Sequence, residues 1–151
     1  AEPTLIRTWQ GAVSHLLNNQ RFPVVRVVAA GKSMGGRIAS QMVAADQMAV
    51  EALIFLGYPL HAPGRIDKLR DTHLYEIKQP MLFFTGTRDP LCNMEKLQEV
   101  LPRLPGPYDL EIVEGGDHSF KLPKSSSRTT ESVHRQVVEK CLQWLDRITK
   151  K

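Results

Sequence analysis

The stretch VVRVVAAGKSMGGRIAS, residues 24–40, decides how this sequence is read. Two signals compete inside it. GKS at 31–33 ends a phosphate-binding loop, whereas GKSMG at 31–35 fits the G-x-S-x-G turn that exposes a nucleophilic serine between a strand and a helix. The phosphate loop also needs a glycine at position 26, so that the backbone can wrap the phosphates, and Arg26 stands there. The residues before GKS form an apolar run, as a buried strand does, and Ile38, Met42 and Ala45 follow at helical spacing. Ser33 is therefore expected at a strand-to-helix junction, with Gly31 and Gly35 giving the turn room and Gly36 and Ala39 keeping the helix close to the sheet. The plain alternative is a glycine-rich turn in which Ser33 only caps the helix.

Length and composition frame the rest. A chain of 151 residues is expected to form a single domain, 1–151, that buries a core without disulfides or metals. Its apolar runs fall well short of the roughly 20 residues of a membrane span, and AEPTLIRTWQ does not resemble a secretory signal, so the expectation is a cytoplasmic protein with no membrane partner. Cys92 and Cys141 fit no metal or redox spacing and read as free thiols. The net charge of +4 comes from basic residues interleaved with acidic ones, apart from Lys150 and Lys151, which argues against nucleic acid as a partner. The five histidines show no pair at ligand spacing with cysteine or carboxylate partners, so no metal is expected, and no cofactor either.

Working outward from the opening stretch gives alternating elements. Pro3 opens a helix with a stripe at Leu5, Trp9, Val13, Leu16 and Leu17 that ends near Asn18 and Asn19. Strands are expected at 24–30, 52–57, 80–86 and 109–115, and helices at 34–46, from Met94 to Leu101, and along Val133, Val137, Cys141, Trp144, Leu145 and Ile148. SSSRTT at 125–130 reads as the entrance to that last helix, and the Pro-, Gly- and charge-rich segment 58–79 as a loop wrapping over one end of the sheet. Continuously apolar strands separated by helices mean an α/β fold, a mostly parallel open sheet flanked by helices.

Open parallel sheets bind ligands beyond the carboxyl ends of their strands. The residues there are Ser33, then GYPLH, then GTRDP, then GGDHSF. They supply Ser33, Asp89 and His118 in the chain order serine, aspartate, histidine, which is the order that accompanies G-x-S-x-G. The chemistry assigns roles: His118 takes the hydroxyl proton and later returns it to the leaving group, and Asp89 orients and stabilises the imidazole. Asp117 is the rival acid, although neighbours on an extended loop point apart. Tyr58 and His61 lie on the same rim and are expected to line the substrate pocket.

GKSMGG, LGYPLHAPG, FTGTRDPL and EGGDHSFK together resemble the α/β-hydrolase superfamily, in particular its dienelactone-hydrolase-like branch with the testis-expressed hydrolase-like proteins and the third subunit of the NSL complex. The resemblance runs from about Arg7 to Leu145 and carries Ser33 onto the family's elbow serine, Asp89 onto its acid and His118 onto its base. It implies a serine hydrolase of a small carboxylic ester or thioester, with the Met34 amide in the oxyanion hole. The chain corresponds to the C-terminal portion of that fold, lacking its N-terminal strands and the loop, HGAGG-like in this branch, that supplies a second oxyanion amide. Loss of one such donor costs about 2.7–4 kcal/mol in the transition state. Hence a second expectation, a catalytically weak hydrolase-like interaction module. Truncation in front of the strand at 24–30 also implies an apolar sheet edge, to be covered either by further chain or by a second copy in a homodimer, with Arg26 as the charge that restrains uncontrolled pairing.

Overall fold

A computed structural model describes residues 2–19, 21 and 23–150; Lys151, the end of the basic tail, lies outside the described residues. Four strands, β1 (Val28–Lys32), β2 (Ala52–Leu56), β3 (Met81–Gly86) and β4 (Tyr108–Val113), lie side by side in chain order and all run parallel. Because side chains alternate across a strand, the apolar runs of β2 and β3 serve two cores at once. Leu53, Phe55, Met81 and Phe83 face Ile38 and Met42 of α2 (Met34–Ala44) and Leu97 of α3 (Met94–Val100). Ala52, Ile54, Leu82 and Phe84 face Val133, Val137 and Trp144 of α4 (Thr130–Thr149). The rings of Phe55 and Phe83 lie 4.7 Å apart in the first core, where truncating either would cost about 3–5 kcal/mol.

The expected elements are present, with informative shifts. β1 covers Val28–Lys32, so the expected start at residue 24 is four residues early and the expected end at 30 two residues early. An edge strand runs only as far as its neighbour does, and β2 begins at Ala52, the partner of Val28. Arg26 therefore falls outside the strand: its guanidinium donates to the Thr149 carbonyl at the end of α4 and lies 3.6 Å from Glu51. At the other end the strand takes in Gly31 and Lys32, which leaves Ser33 alone between β1 and α2.

α1 (Glu2–Leu17) packs Leu5, Ile6, Trp9 and Val13 against the α2-side core, and the Trp9 indole donates to the Gly35 carbonyl. Its expected stripe is used only in part, since Leu16 and Leu17 remain exposed. Segment 58–79 folds back onto the α2 face instead of wrapping over the sheet end: Leu60, Leu74 and Ile77 are fully buried there, around a 3-10 turn at Thr72–Glu76. α4 opens as expected, with the Thr129 hydroxyl accepting from the Ser132 amide. Among the described residues no helix is long and apolar enough to cross a membrane.

Candidate active site

A strand that runs into a helix through one residue forces that residue's backbone. Ser33 has φ 51° and ψ −124°, a left-handed conformation that an L side chain occupies only at a cost of about 1–3 kcal/mol. The tight turn also brings β1 against the start of α2, where a Cβ on Gly31 would run into the Gly36 backbone and one on Gly36 would stand 2.7 Å from the Gly31 carbonyl oxygen. The room comes from Gly31 and Gly36; a Cβ on Gly35 would meet nothing, which corrects the expectation for that residue.

Although Ser33 occupies the N-cap of α2, its side chain makes no capping hydrogen bond. Its hydroxyl oxygen lies instead 2.7 Å from His118 Nε2, and His118 Nδ1 lies 2.8 Å from Asp89 Oδ2. A carboxylate only accepts, so Nδ1 carries the proton and donates it to Asp89, leaving Nε2 to accept from Ser33. The Asp89 side chain is fully buried, whereas the His118 side chain is 19% exposed and reachable from solvent. Asp89 Oδ1 accepts from the Leu91 amide at 2.8 Å, which fixes the rotation of the carboxylate.

Two loops hold this line in register. The segment after β3 and the segment after β4 are laced together: Thr87 and Arg88 donate from their amides to the carbonyls of Val113 and Gly116, and the Gly115 amide donates to the Thr87 hydroxyl. Under the imidazole sits Gly57, at φ 72°, where a Cβ would lie 2.9 Å from the His118 carbonyl oxygen. Asp117 turns out to organise its own loop. Its Oδ1 accepts from the amides of Ser119 and Lys121, and although slight burial pushes its carboxyl up, those amides with the charges of Lys121 and Arg88 hold it below the usual range.

The amide of Met34 opens α2, ahead of the first i→i−4 bond, from Arg37 to Ser33. Such an amide is unpaired within the helix and sits at the positive end of its dipole. Lys32, Leu56, Phe120, Val137 and Val138 wall an open groove of about 350 Å³ that includes a chain neighbour each of Ser33 and His118 but neither of those two residues. Tyr58 and His61, expected as pocket residues, are each 2% exposed, and neither lines the groove just described. Among the described residues no cluster of three or more His, Cys, Asp and Glu could hold a metal ion.

A second serine–histidine contact escapes a reading by strand ends. Ser40 Oγ lies 2.8 Å from His73 Nε2 and donates to the Arg37 carbonyl, while the Tyr58 hydroxyl donates to the Arg70 carbonyl and lies 3.1 Å from the same Nε2. With both hydroxyl protons committed, Nε2–H is the donor to this pair of oxygens. Burial first, and then the charge of Arg37, push the His73 imidazole down to about 4 against the opposing pull of Asp71; burial likewise raises the Tyr58 phenol above its usual range. In the sequence only the apolar spacing of Leu74 and Ile77 points to a segment that carries His73 onto α2.

Known structures share this sheet at low sequence identity. A dienelactone hydrolase from Anabaena variabilis is 23% identical with a TM-score of 0.61, over 85% of this chain and 54% of its own length. An esterase from Pyrococcus furiosus is 17% identical with a TM-score of 0.72, over 94% and 61%, and Est1E from Butyrivibrio proteoclasticus, solved with ferulic acid, is 16% identical with a TM-score of 0.67, over 93% and 68%. The chain thus spans between about half and two thirds of the length of these proteins. The family model of the alpha/beta hydrolase domain matches residues 1–146, and by that match, over a parallel sheet in which a strained serine joins β1 to α2, the chain belongs to the alpha/beta hydrolase domain family.

Proposed function

We propose that this chain is a serine hydrolase that cleaves a small carboxylic ester or thioester through an acyl-enzyme. The observation that carries the reading is the Ser33 side chain, which leaves its helix uncapped and meets His118 Nε2 at 2.7 Å, while the buried Asp89 carboxylate holds the other ring nitrogen. In the first step Oγ forms a bond to the substrate carbonyl carbon as its proton passes to Nε2. The carbonyl oxygen becomes an oxyanion within reach of the Met34 amide. When the intermediate collapses, the bond to the leaving alcohol or thiol breaks and the leaving group takes the proton from Nε2. Water then repeats the sequence on the acyl-enzyme and frees the acid. Asp89 stays ionised throughout and stabilises the imidazolium. A cytoplasmic setting suits the thiols of Cys92 and Cys141, both unpaired. A fluorophosphonate probe tests the reading: labelling at Ser33, absent in Ser33→Ala, is the expected result, and a folded protein that never labels overturns it.

A second reading, a catalytically weak hydrolase-like interaction module, is favoured by the β1 edge. The bonds from the Ser33 amide to Leu56 and from the Glu51 amide to Val27 turn the odd-numbered residues toward β2, so Val28, Ala30 and Lys32 direct their backbone groups away from it. Beside that edge Val138 is 56% and Leu142 61% exposed. We infer that a second copy pairs there, β1 to β1, about a two-fold axis. Sedimentation of the chain is expected to show a dimer that Ala30→Pro, which removes an edge amide, returns to monomer. A stable monomer at high concentration overturns the pairing.

A further inference from the structure

Asp89 is useful only if its carboxylate is aimed, and the loop that aims it, residues 89–93, is held from outside by His61, through its backbone amide and its ring. His61 donates from its backbone amide to the Leu91 carbonyl at 3.1 Å. Its Nε2 accepts from the Asn93 amide at 2.8 Å, and its Nδ1 lies 2.9 Å from the Ala62 carbonyl oxygen. A carbonyl only accepts, so Nδ1 carries the proton and Nε2 offers its lone pair to Asn93. His61 therefore grips the loop on both sides of the buried Cys92. Inside that grip the Leu91 amide donates to Asp89 Oδ1, and Asn93 starts α3 by accepting from the Lys96 amide.

We propose that His61 is a positioning residue for the catalytic carboxylate: its far ring nitrogen anchors the 89–93 loop, and so sets the angle at which Asp89 meets His118. The role as a positioner of catalysis rests on the serine-hydrolase reading; the anchoring itself does not. His61 is 2% exposed, and its ring nitrogens are both engaged within the protein. What it supplies is an acceptor, because the Asn93 amide at a helix start has no partner within the helix. Without it the Asn93 end of the loop loses its anchor and can shift, and displacement of a catalytic group by about 1 Å costs about 10²-fold in rate.

Two amides distinguish the ring nitrogens. The Asn side chain places its amide near the position of Nδ1 and leaves Asn93 unpaired, whereas the longer Gln reaches the position of Nε2. The comparison uses wild type, His61→Asn and His61→Gln, with two readouts. One is the downfield proton resonance of His118 Nδ1–H shared with Asp89, and the other is kcat and KM for a short-chain aryl ester. In His61→Asn the resonance is expected to broaden or vanish and kcat to fall about 10²-fold with KM nearly unchanged. His61→Gln should restore most of both. If the folded His61→Asn protein keeps the resonance and kcat of wild type, or His61→Gln fails as His61→Asn does, the anchoring is overturned. Should His61→Asn not fold, His61→Gln decides alone, by keeping or losing the resonance. A wild type that shows the resonance but hydrolyses nothing separates the two readings: loss of the resonance in His61→Asn then upholds the anchoring while the hydrolase reading falls.

Discussion

Two serine–histidine contacts of nearly equal length lie among the described residues, Ser33–His118 at 2.7 Å and Ser40–His73 at 2.8 Å, and their surroundings differ. The third partner makes the difference. His118 has a carboxylate at its second nitrogen, so its Nε2 is left as a base. His73 meets two hydroxyls whose protons are already given to carbonyls, so its Nε2 is a donor. Exposure separates them further, because Ser40 is completely buried while the His118 side chain is 19% exposed. Backbone does so as well: Ser33 is strained at a turn and Ser40 lies within α2. A hydrogen-bonded serine and histidine become a nucleophile and base only with an orienting acid and a route to solvent.

The largest effects come from breaking each pair in turn. Ser33→Ala is expected to remove ester hydrolysis, a loss on the order of 10⁴-fold or more, while Ser40→Ala keeps activity within a few-fold. Initial rates on an aryl ester decide between them, and a folded Ser40→Ala protein as inactive as Ser33→Ala would show that the wrong pair had been chosen. Exchanging the acid comes next. Asp89→Asn should lower kcat by up to about 10⁴-fold by favouring the wrong imidazole tautomer. Asp117→Asn should leave kcat nearly intact, because that carboxyl serves the amides of Ser119 and Lys121. Full activity in Asp89→Asn, with loss in Asp117→Asn, reverses the assignment.

The comparison also explains which parts were legible in the sequence. Periodicity reads the sheet, and the strand-end rule reads Ser33, Asp89 and His118 as three residues that meet, because each belongs to a local pattern: an apolar run followed by a polar residue. The Ser40–His73–Tyr58 cluster has no such pattern. It joins a helix interior, a strand-exit loop and a 3-10 turn, and residues 33 positions apart meet only because Leu74 and Ile77 pull their segment onto α2. Position after a strand gives a residue's height on the sheet and not the direction of its side chain, and Tyr58 and His61 are each 2% exposed. The strand boundaries were limited in the same way: β1 is cut to the length of β2, a constraint that lies in the neighbour's sequence.

A smaller effect appears in stability against pH, and it belongs to the Ser40–His73 pair. Unfolded, His73 binds a proton near its ordinary 6.5; folded, only near about 4. Between those values the unfolded chain holds more protons, so stability falls as the pH drops from about 6.5 to about 4 and this contribution changes no further below. At 1.36 kcal/mol per unit, reduced for the imidazole's partial exposure, the loss is on the order of 2 kcal/mol. Urea unfolding of wild type and His73→Gln across this range checks it, and equal slopes for the two proteins would refute the assignment to His73.

The smallest effect is the one in which the same substitution has opposite signs at the two serines. Glycine at Ser33 releases a left-handed backbone worth about 1–3 kcal/mol, against about 0.5–1 kcal/mol for the freedom glycine gains in the unfolded chain. The lost hydroxyl contact matters little there, because His118 is open to water. Ser33→Gly should therefore be inactive yet more stable by about 1 kcal/mol. At Ser40 glycine relieves no strain, weakens a helix interior and leaves the ring of His73 with one fewer partner, so Ser40→Gly should lose stability. Denaturant midpoints of the two variants measure both signs together. A Ser33→Gly protein less stable than wild type would mean that the turn is held by the side chain of Ser33, and not merely tolerated for the sake of its hydroxyl.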